Sequence, residues 1–318
     1  MKIAFLFPGQ GAQKVGMGKE LAREFPAARR VFEEADEALR LSLSRLCFEG
    51  PEEELRLTAN TQPATLATSI AALRAFQSEC GAAAELAAGH SLGEYSALVA
   101  AGAITLADAL RVVRERGRLM QEACPAGQGT MAAILGLDLA AVKAICEEVS
   151  TGGEIAVPAN LNAPGQIVVS GNAGAVRRAL EIAKARGGGA SVELKVSAPF
   201  HCPLMQPARD GMAPVLERLD VRPLNFGVIT NVTAEVNRDP ARVKPLLLEQ
   251  ITAPVRWEES MGTLVQGGIE SAVEFGAGRV LAGLMRRINR NVKVLAAEDA
   301  ASLKTTIAAL SQSGTMPD

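Results

Sequence analysis

Aromatic side chains are scarce in this chain: one Trp, one Tyr and nine Phe make up 3% of its 318 residues. So few rings do not furnish a base-stacking surface for nucleic acid. An excess of either charge is missing too. The formal net charge is −2, so no global field gathers nucleic acid or an anionic membrane, and neither is expected as a partner. Cysteine is sparse and unpatterned. Cys47, Cys80, Cys124, Cys146 and Cys202 include no CxxC pair, which argues against a disulfide framework or a zinc cluster and for a reducing, cytoplasmic setting. No apolar run approaches the roughly 20 residues of a membrane-spanning helix. The N-terminal KIAFLF is cut by Pro8 and Gly9 too early for a signal-peptide core. Histidine occurs only at His90 and His201, so any imidazole chemistry has two candidates.

What is present is an ordinary globular composition, 48% hydrophobic, with chain enough for one large domain or a large and a small one. KIAFLF (2–7) predicts a strand buried on both faces. Helical periodicity follows at about 17–25, 26–45 and 61–79, then a short strand at 85–89 and helices at 92–101 and 105–123, the last opened by a Thr105/Asp108 capping pair. The pattern then changes to a strand (129–137), a helix (138–150), two strands (154–162 and 165–171), a helix (172–187) and a strand (190–196). That order, β-α-β-β-α-β, is the ferredoxin-like unit, expected as an insertion at 127–197 within a larger domain of 1–126 and 198–318. Alternation resumes with a strand at 226–230, helices near 241–250 and 257–267, a strand at 271–275, a helix at 279–289 and a strand at 292–296. The fold class is therefore α/β, with a mostly parallel sheet covered on both faces. The tail SQSGTMPD (311–318) is expected to fray.

Between the strand at 85–89 and the next helix stands Gly89-His90-Ser91-Leu92-Gly93. Gly-x-Ser-x-Gly at such a junction is the nucleophile-elbow pattern. A turn that tight needs neighbours nearly free of side chain, and it presents the serine hydroxyl at a helix N-terminus rich in unpaired N–H groups. The alternative is a plain turn with a serine N-cap. A serine hydroxyl needs a base. His90 is adjacent in sequence, and its side chain diverges from Ser91, so it is expected to brace the turn. His201, in SAPFHCPLM, remains as the base. No carboxylate stands out to orient it.

On the helix at 105–123, Ala109, Val112, Val113, Gly117 and Met120 form an apolar stripe, and Arg116 falls on that stripe. A buried guanidinium needs an anionic partner. Two partners stay open on spacing alone: a carboxylate of the protein itself, or the carboxylate of a substrate. FPGQGAQ (7–13) and FGAGRVLAG (275–283) are glycine-rich but match neither a Walker A loop nor GxGxxG, so nucleotide binding has little support. The basic run MRRINRNVK (285–293) reads first as a solvated helix face, with attraction of an acidic protein or of phosphates as the alternative.

Seven segments occur in order: FPGQGAQ, GHSLGEYSA (89–97), RGRLMQEA (116–123), NLNAPGQIVVSG (160–171), APFHCPLM (198–205), EQITAPVRW (249–257) and EFGAGRVLAGL (274–284). With them the chain resembles, end to end, the malonyl-CoA:acyl-carrier-protein transacylase family, which includes the acyltransferase domains of polyketide synthases. The resemblance implies an α/β-hydrolase-like large domain carrying the ferredoxin-like insertion. It implies a ping-pong transfer of malonyl from malonyl-CoA to holo acyl carrier protein, with no metal or redox cofactor. Ser91 would be the acylated nucleophile, His201 its base, and the backbone N–H groups of Gln10 and Leu92 the oxyanion hole. Gln250 would orient His201 through its backbone carbonyl. Arg116 would hold the malonyl carboxylate, with Met120 and Phe200 beside the acyl group; an aromatic residue at 200 goes with malonyl selectivity. Asn160 and Asn162 would line the cleft between the domains. A serine hydrolase or thioesterase on the same core, a trans-acting polyketide acyltransferase, and a non-catalytic docking module are the rival readings.

Overall fold

The computed structural model describes residues 2–125 and 127–312. Its first strand, β1 (Ile3–Phe7), is buried at all five positions. Ile3, Phe5 and Phe7 join the core on one face of a sheet, and Ala4 and Leu6 join the core on the other. Burial on both faces explains why the strand reads as a continuous apolar run instead of an alternating one. Four helices follow: α1 (Lys19–Glu24), α2 (Pro26–Leu39), α3 (Leu43–Glu49) and α4 (Glu52–Leu55). The single helix expected over 26–45 breaks after Leu39. Arg40 adopts φ 50°, its N–H caps the carbonyls of Asp36 and Glu37, and the Asp36 carboxylate accepts from the Ser44 N–H and hydroxyl. The long α5 (Thr58–Glu79) begins one turn before the expected start. Then come β2 (Leu86–Gly89), α6 (Gly93–Ala100) and α7 (Leu106–Glu122), the last with Thr105 accepting from the Asp108 N–H as its capping pair predicts.

The second sheet is built from β3 (Gly129–Leu135), β4 (Ala156–Ala163), β5 (Gln166–Asn172) and β6 (Val192–Glu193), in the order β4-β5-β3-β6 and wholly antiparallel. Helices α8 (Leu139–Val149) and α9 (Ala173–Ala185) cover one face with a core of its own. This is the ferredoxin-like order, in which β5 separates β3 from β4. On its other face Met131 and Val168 belong to the large domain's core. A bridge between Asn160 and Val255 ties β4 to the large domain, with Leu161 donating to Val255 and Val255 donating to Ala159.

The chain returns through α10 (Gln206–Glu217), β7 (Gly227–Ile229), β8 (Val236–Asn237), α11 (Val243–Gln250), α12 (Trp257–Gln266), β9 (Ser271–Phe275), α13 (Val280–Ile288), β10 (Lys293–Ala297) and α14 (Ala300–Gln312). The large sheet runs β10-β9-β1-β2-β7-β8, parallel except for the short edge strand β8. The fold is thus the expected two-domain α/β arrangement. Helix α10 carries no sequence expectation because Pro207, Gly211 and Pro214 read as breakers. Pro207 sits in the first turn, where it is tolerated. A Cβ at Gly211 would press on Leu119, so the glycine is there for close approach to α7. Of the expected frayed tail, Ser311 and Gln312 form the end of α14; the remainder lies outside the described residues, as does Ala126 at the expected domain junction.

Candidate active site

The site lies at the carboxyl ends of β1 and β2, where parallel α/β sheets place their ligands. Ser91 occupies the turn between β2 and α6 with φ 50°, a left-handed conformation that an L-residue holds at a cost. Close packing forces it. A Cβ on Gly89 would overlap the Gly93 carbonyl, and one on Gly93 would overlap the Phe7 carbonyl. Gly89→Ala should therefore destabilise the fold by about 3 kcal/mol, read as a lowered denaturant midpoint. A wild-type midpoint would show that the turn can relax.

His201 also sits at positive φ (58°), and its Nε2 lies 2.7 Å from the Ser91 Oγ. Its Nδ1 is 2.9 Å from the Gln250 backbone carbonyl. A carbonyl only accepts, so the ring proton is on Nδ1 and Nε2 is left to accept from the serine. Burial, reinforced by the positive charge of Arg116, pushes His201 down to about 3. The imidazole is therefore neutral at physiological pH. His90 points away, with Nε2 2.8 Å from the Asn162 Oδ1 and its ring against Trp257.

Arg116 is 1% exposed. Its Nη1 donates to the Gln62 Oε1 (2.8 Å), and its Nη2 donates to the Gln250 Oε1 (2.8 Å) and the Ser91 Oγ (3.1 Å). The guanidinium lies 5.6 Å from the Tyr95 ring centroid. Among the described residues it makes no ion pair, and its Nε has no hydrogen-bond partner. The protein-carboxylate partner left open by the spacing is thus not what the fold provides. Neutral amide oxygens hold the cation instead, leaving its charge available beside the serine.

Ser91, His201, Arg116, Gln10, Leu92, Met120, Phe200 and Asn160 line one cavity of about 160 Å³, joined by Gln62 and Met131. That suits a small acyl group better than a drug-sized ligand. Asn162 does not line it; with Gln10 and Asn160 it faces the adjoining cleft. Gln250 is fully buried beneath the site. The backbone N–H groups of Gln10 and Leu92 donate to no protein acceptor among the described residues.

Three participants were not apparent in the sequence. Gln62 is a buried amide in the first half of α5, a helix that also carries Asn60 and Gln77. Glu94 is 2% exposed, and its Oε2 accepts from the Gln250 side-chain Nε2 (2.8 Å) and the Asn231 N–H (3.0 Å). Burial raises its carboxyl to about 7. Asn231 accepts the Ser91 N–H on Oδ1 (2.6 Å) and donates Nδ2 to the Gly89 carbonyl (2.7 Å). A polar residue three after the elbow serine on a buried helix was the available signal for Glu94.

Comparison with known proteins places this constellation. The acyl transferase domain family matches residues 4–306. The malonyl CoA-acyl carrier protein transacylase of Bacillus subtilis (strain 168) is 50% identical over 311 residues, covering 98% of both chains. That of Salmonella typhimurium is 44% identical, over 96% of this chain and 99% of its own. Among solved structures, a malonyl-transacylase in complex with a type II PKS acyl-carrier protein superposes with a TM-score of 0.94 at 44% identity, covering 97% of this chain and 100% of that one. The transacylase of Clostridium perfringens gives 0.95 at 39%, over 99% and 98%. The chain belongs to the acyl transferase family, among its malonyl CoA-acyl carrier protein transacylases.

Proposed function

We propose that this protein moves a malonyl group from malonyl-CoA to the phosphopantetheine thiol of acyl carrier protein through a malonyl ester on Ser91. The observation that carries the proposal is the convergence on one hydroxyl of a neutral imidazole and a buried guanidinium that no protein carboxylate neutralises. The relatives' shared activity supports the same substrates.

In the first half-reaction His201 Nε2 takes the Ser91 proton as Oγ forms a bond to the thioester carbon. The oxyanion sits on the Gln10 and Leu92 N–H groups, each contributing about 3 kcal/mol to the transition state. The C–S bond then breaks, and CoA leaves as a thiol with the proton from His201. In the second half the carrier's thiol gives its proton to His201, attacks the ester, and Ser91 departs with that proton. Arg116 holds the malonyl carboxylate throughout, and Met120 and Phe200 wall the acyl chamber. Asn160 and Asn162 flank the cleft by which the pantetheine arm enters. The scheme calls on no metal or redox cofactor. We place the inserted domain at 127–197, closing over the site, and the protein in the cytoplasm, in keeping with five buried cysteines.

Incubation with malonyl-CoA tests the transfer. Without carrier, CoA release should stop at about one equivalent per Ser91; holo carrier should make it catalytic. Continuous release without an acceptor would identify a hydrolase instead.

A further inference from the structure

We propose that Glu94 is the positioning residue of this site: its single oxygen Oε2 holds Gln250 and Asn231, and through them sets Arg116, His201 and Ser91 together. The proposal rests on the transfer reading above. Glu94 lies one helical turn after Ser91, on the buried side of α6.

The Gln250 amide has two ways round, and Glu94 selects one. Its Nε2 donates to Glu94 Oε2 and to the Ser91 carbonyl (3.0 Å), both acceptors. That leaves Oε1 to face the Arg116 Nη2. Flipped, the amide would set N–H against guanidinium N–H and carbonyl oxygen against carboxylate. The same residue's backbone carbonyl orients His201, so locking the Gln250 side chain also steadies that carbonyl. On the other side, Glu94 fixes the Asn231 backbone, and the Asn231 side chain spans the elbow from the Ser91 N–H to the Gly89 carbonyl. The strained serine is held from behind by this brace.

The arrangement also explains how a buried guanidinium stays available. A carboxylate in direct contact with Arg116 would occupy the donors an acyl carboxylate needs. Here one amide separates the two, so Glu94 orders the site without competing for the cation.

The test compares acylation of Ser91 by malonyl-CoA and by acetyl-CoA in folded wild type, Glu94→Gln, Glu94→Asp and Glu94→Ala. Glu94→Asp is one methylene too short to reach both partners, and Glu94→Ala has no acceptor. In both, malonyl acylation should fall about a hundredfold and the malonyl-to-acetyl ratio about tenfold, because a displaced Arg116 loses a carboxylate contact that acetyl never makes. Glu94→Gln keeps an oxygen in place and should recover the wild-type ratio. A structural role alone would lower both rates in proportion. If Glu94→Ala does not fold, Glu94→Asp decides. A wild-type ratio in Glu94→Asp, or a Glu94→Gln no better than Glu94→Asp, overturns the proposal. A wild type that takes no malonyl on Ser91 overturns the transfer reading instead.

Discussion

Arg116→Ala is expected to cut malonyl transfer roughly a hundredfold or more while costing acetyl transfer far less. A carboxylate stripped of its one charged partner in a buried site is left uncompensated by about 3–5 kcal/mol, and each 1.4 kcal/mol is about a tenfold change in rate. The substitution also leaves the Gln62 and Gln250 side-chain oxygens without their donor, but that disturbance falls on both substrates alike. The ratio of the two rates, measured as Ser91 acylation on folded enzyme, therefore isolates the carboxylate contact. Arg116→Lys should not rescue it, since one ammonium cannot span the two amide oxygens and the acyl carboxylate as the planar fork does. Equal loss of malonyl and acetyl transfer would remove Arg116 from substrate selection.

His201→Ala should lower acylation by about 10²–10⁴-fold, the range expected for a lost general base. The pH profile offers an independent check. Burial and the neighbouring Arg116 push His201 down to about 3. A histidine held below its free value stays neutral as pH falls through 6.5 and takes a proton only far lower. The kcat/KM for malonyl-CoA should therefore show no acid limb near pH 6.5. The same shift makes His201 a source of acid instability, because below pH 6.5 the unfolded chain binds a proton that the folded chain does not. A limb centred on 6.5 that disappears in His201→Ala would show that the imidazole is not so held.

Local chemistry was the most legible part of the sequence. Gly-His-Ser-Leu-Gly marks a strand-to-helix turn because only glycine tolerates backbone that close, and the contacts at Gly89 and Gly93 show the crowding directly. Scarcity of histidine narrowed the base to His201 before any coordinates. The alternation of strands and helices was equally plain at β1, which is buried on both faces and reads as an unbroken apolar run. What the sequence hid were contacts between distant segments. Gln62 and Arg116 are 54 residues apart, and Asn231 lies 140 from Ser91. An amide inside a helix or a short loop carries no period to announce it. Helix α10 stayed hidden for a different reason, because its prolines and glycine obey tertiary packing more than local propensity. Arg116 was legible as an anomaly, a charge on an apolar stripe, while its partners were not.

The most direct measurement is the intact mass of the protein after mixing with malonyl-CoA, with Ser91→Ala in parallel. One malonyl group should appear on the wild type, none on Ser91→Ala, and the adduct should vanish when holo acyl carrier protein is added and reappear on the carrier. A wild-type chain that stays unmodified, or a Ser91→Ala chain that still takes up malonyl, would contradict the account.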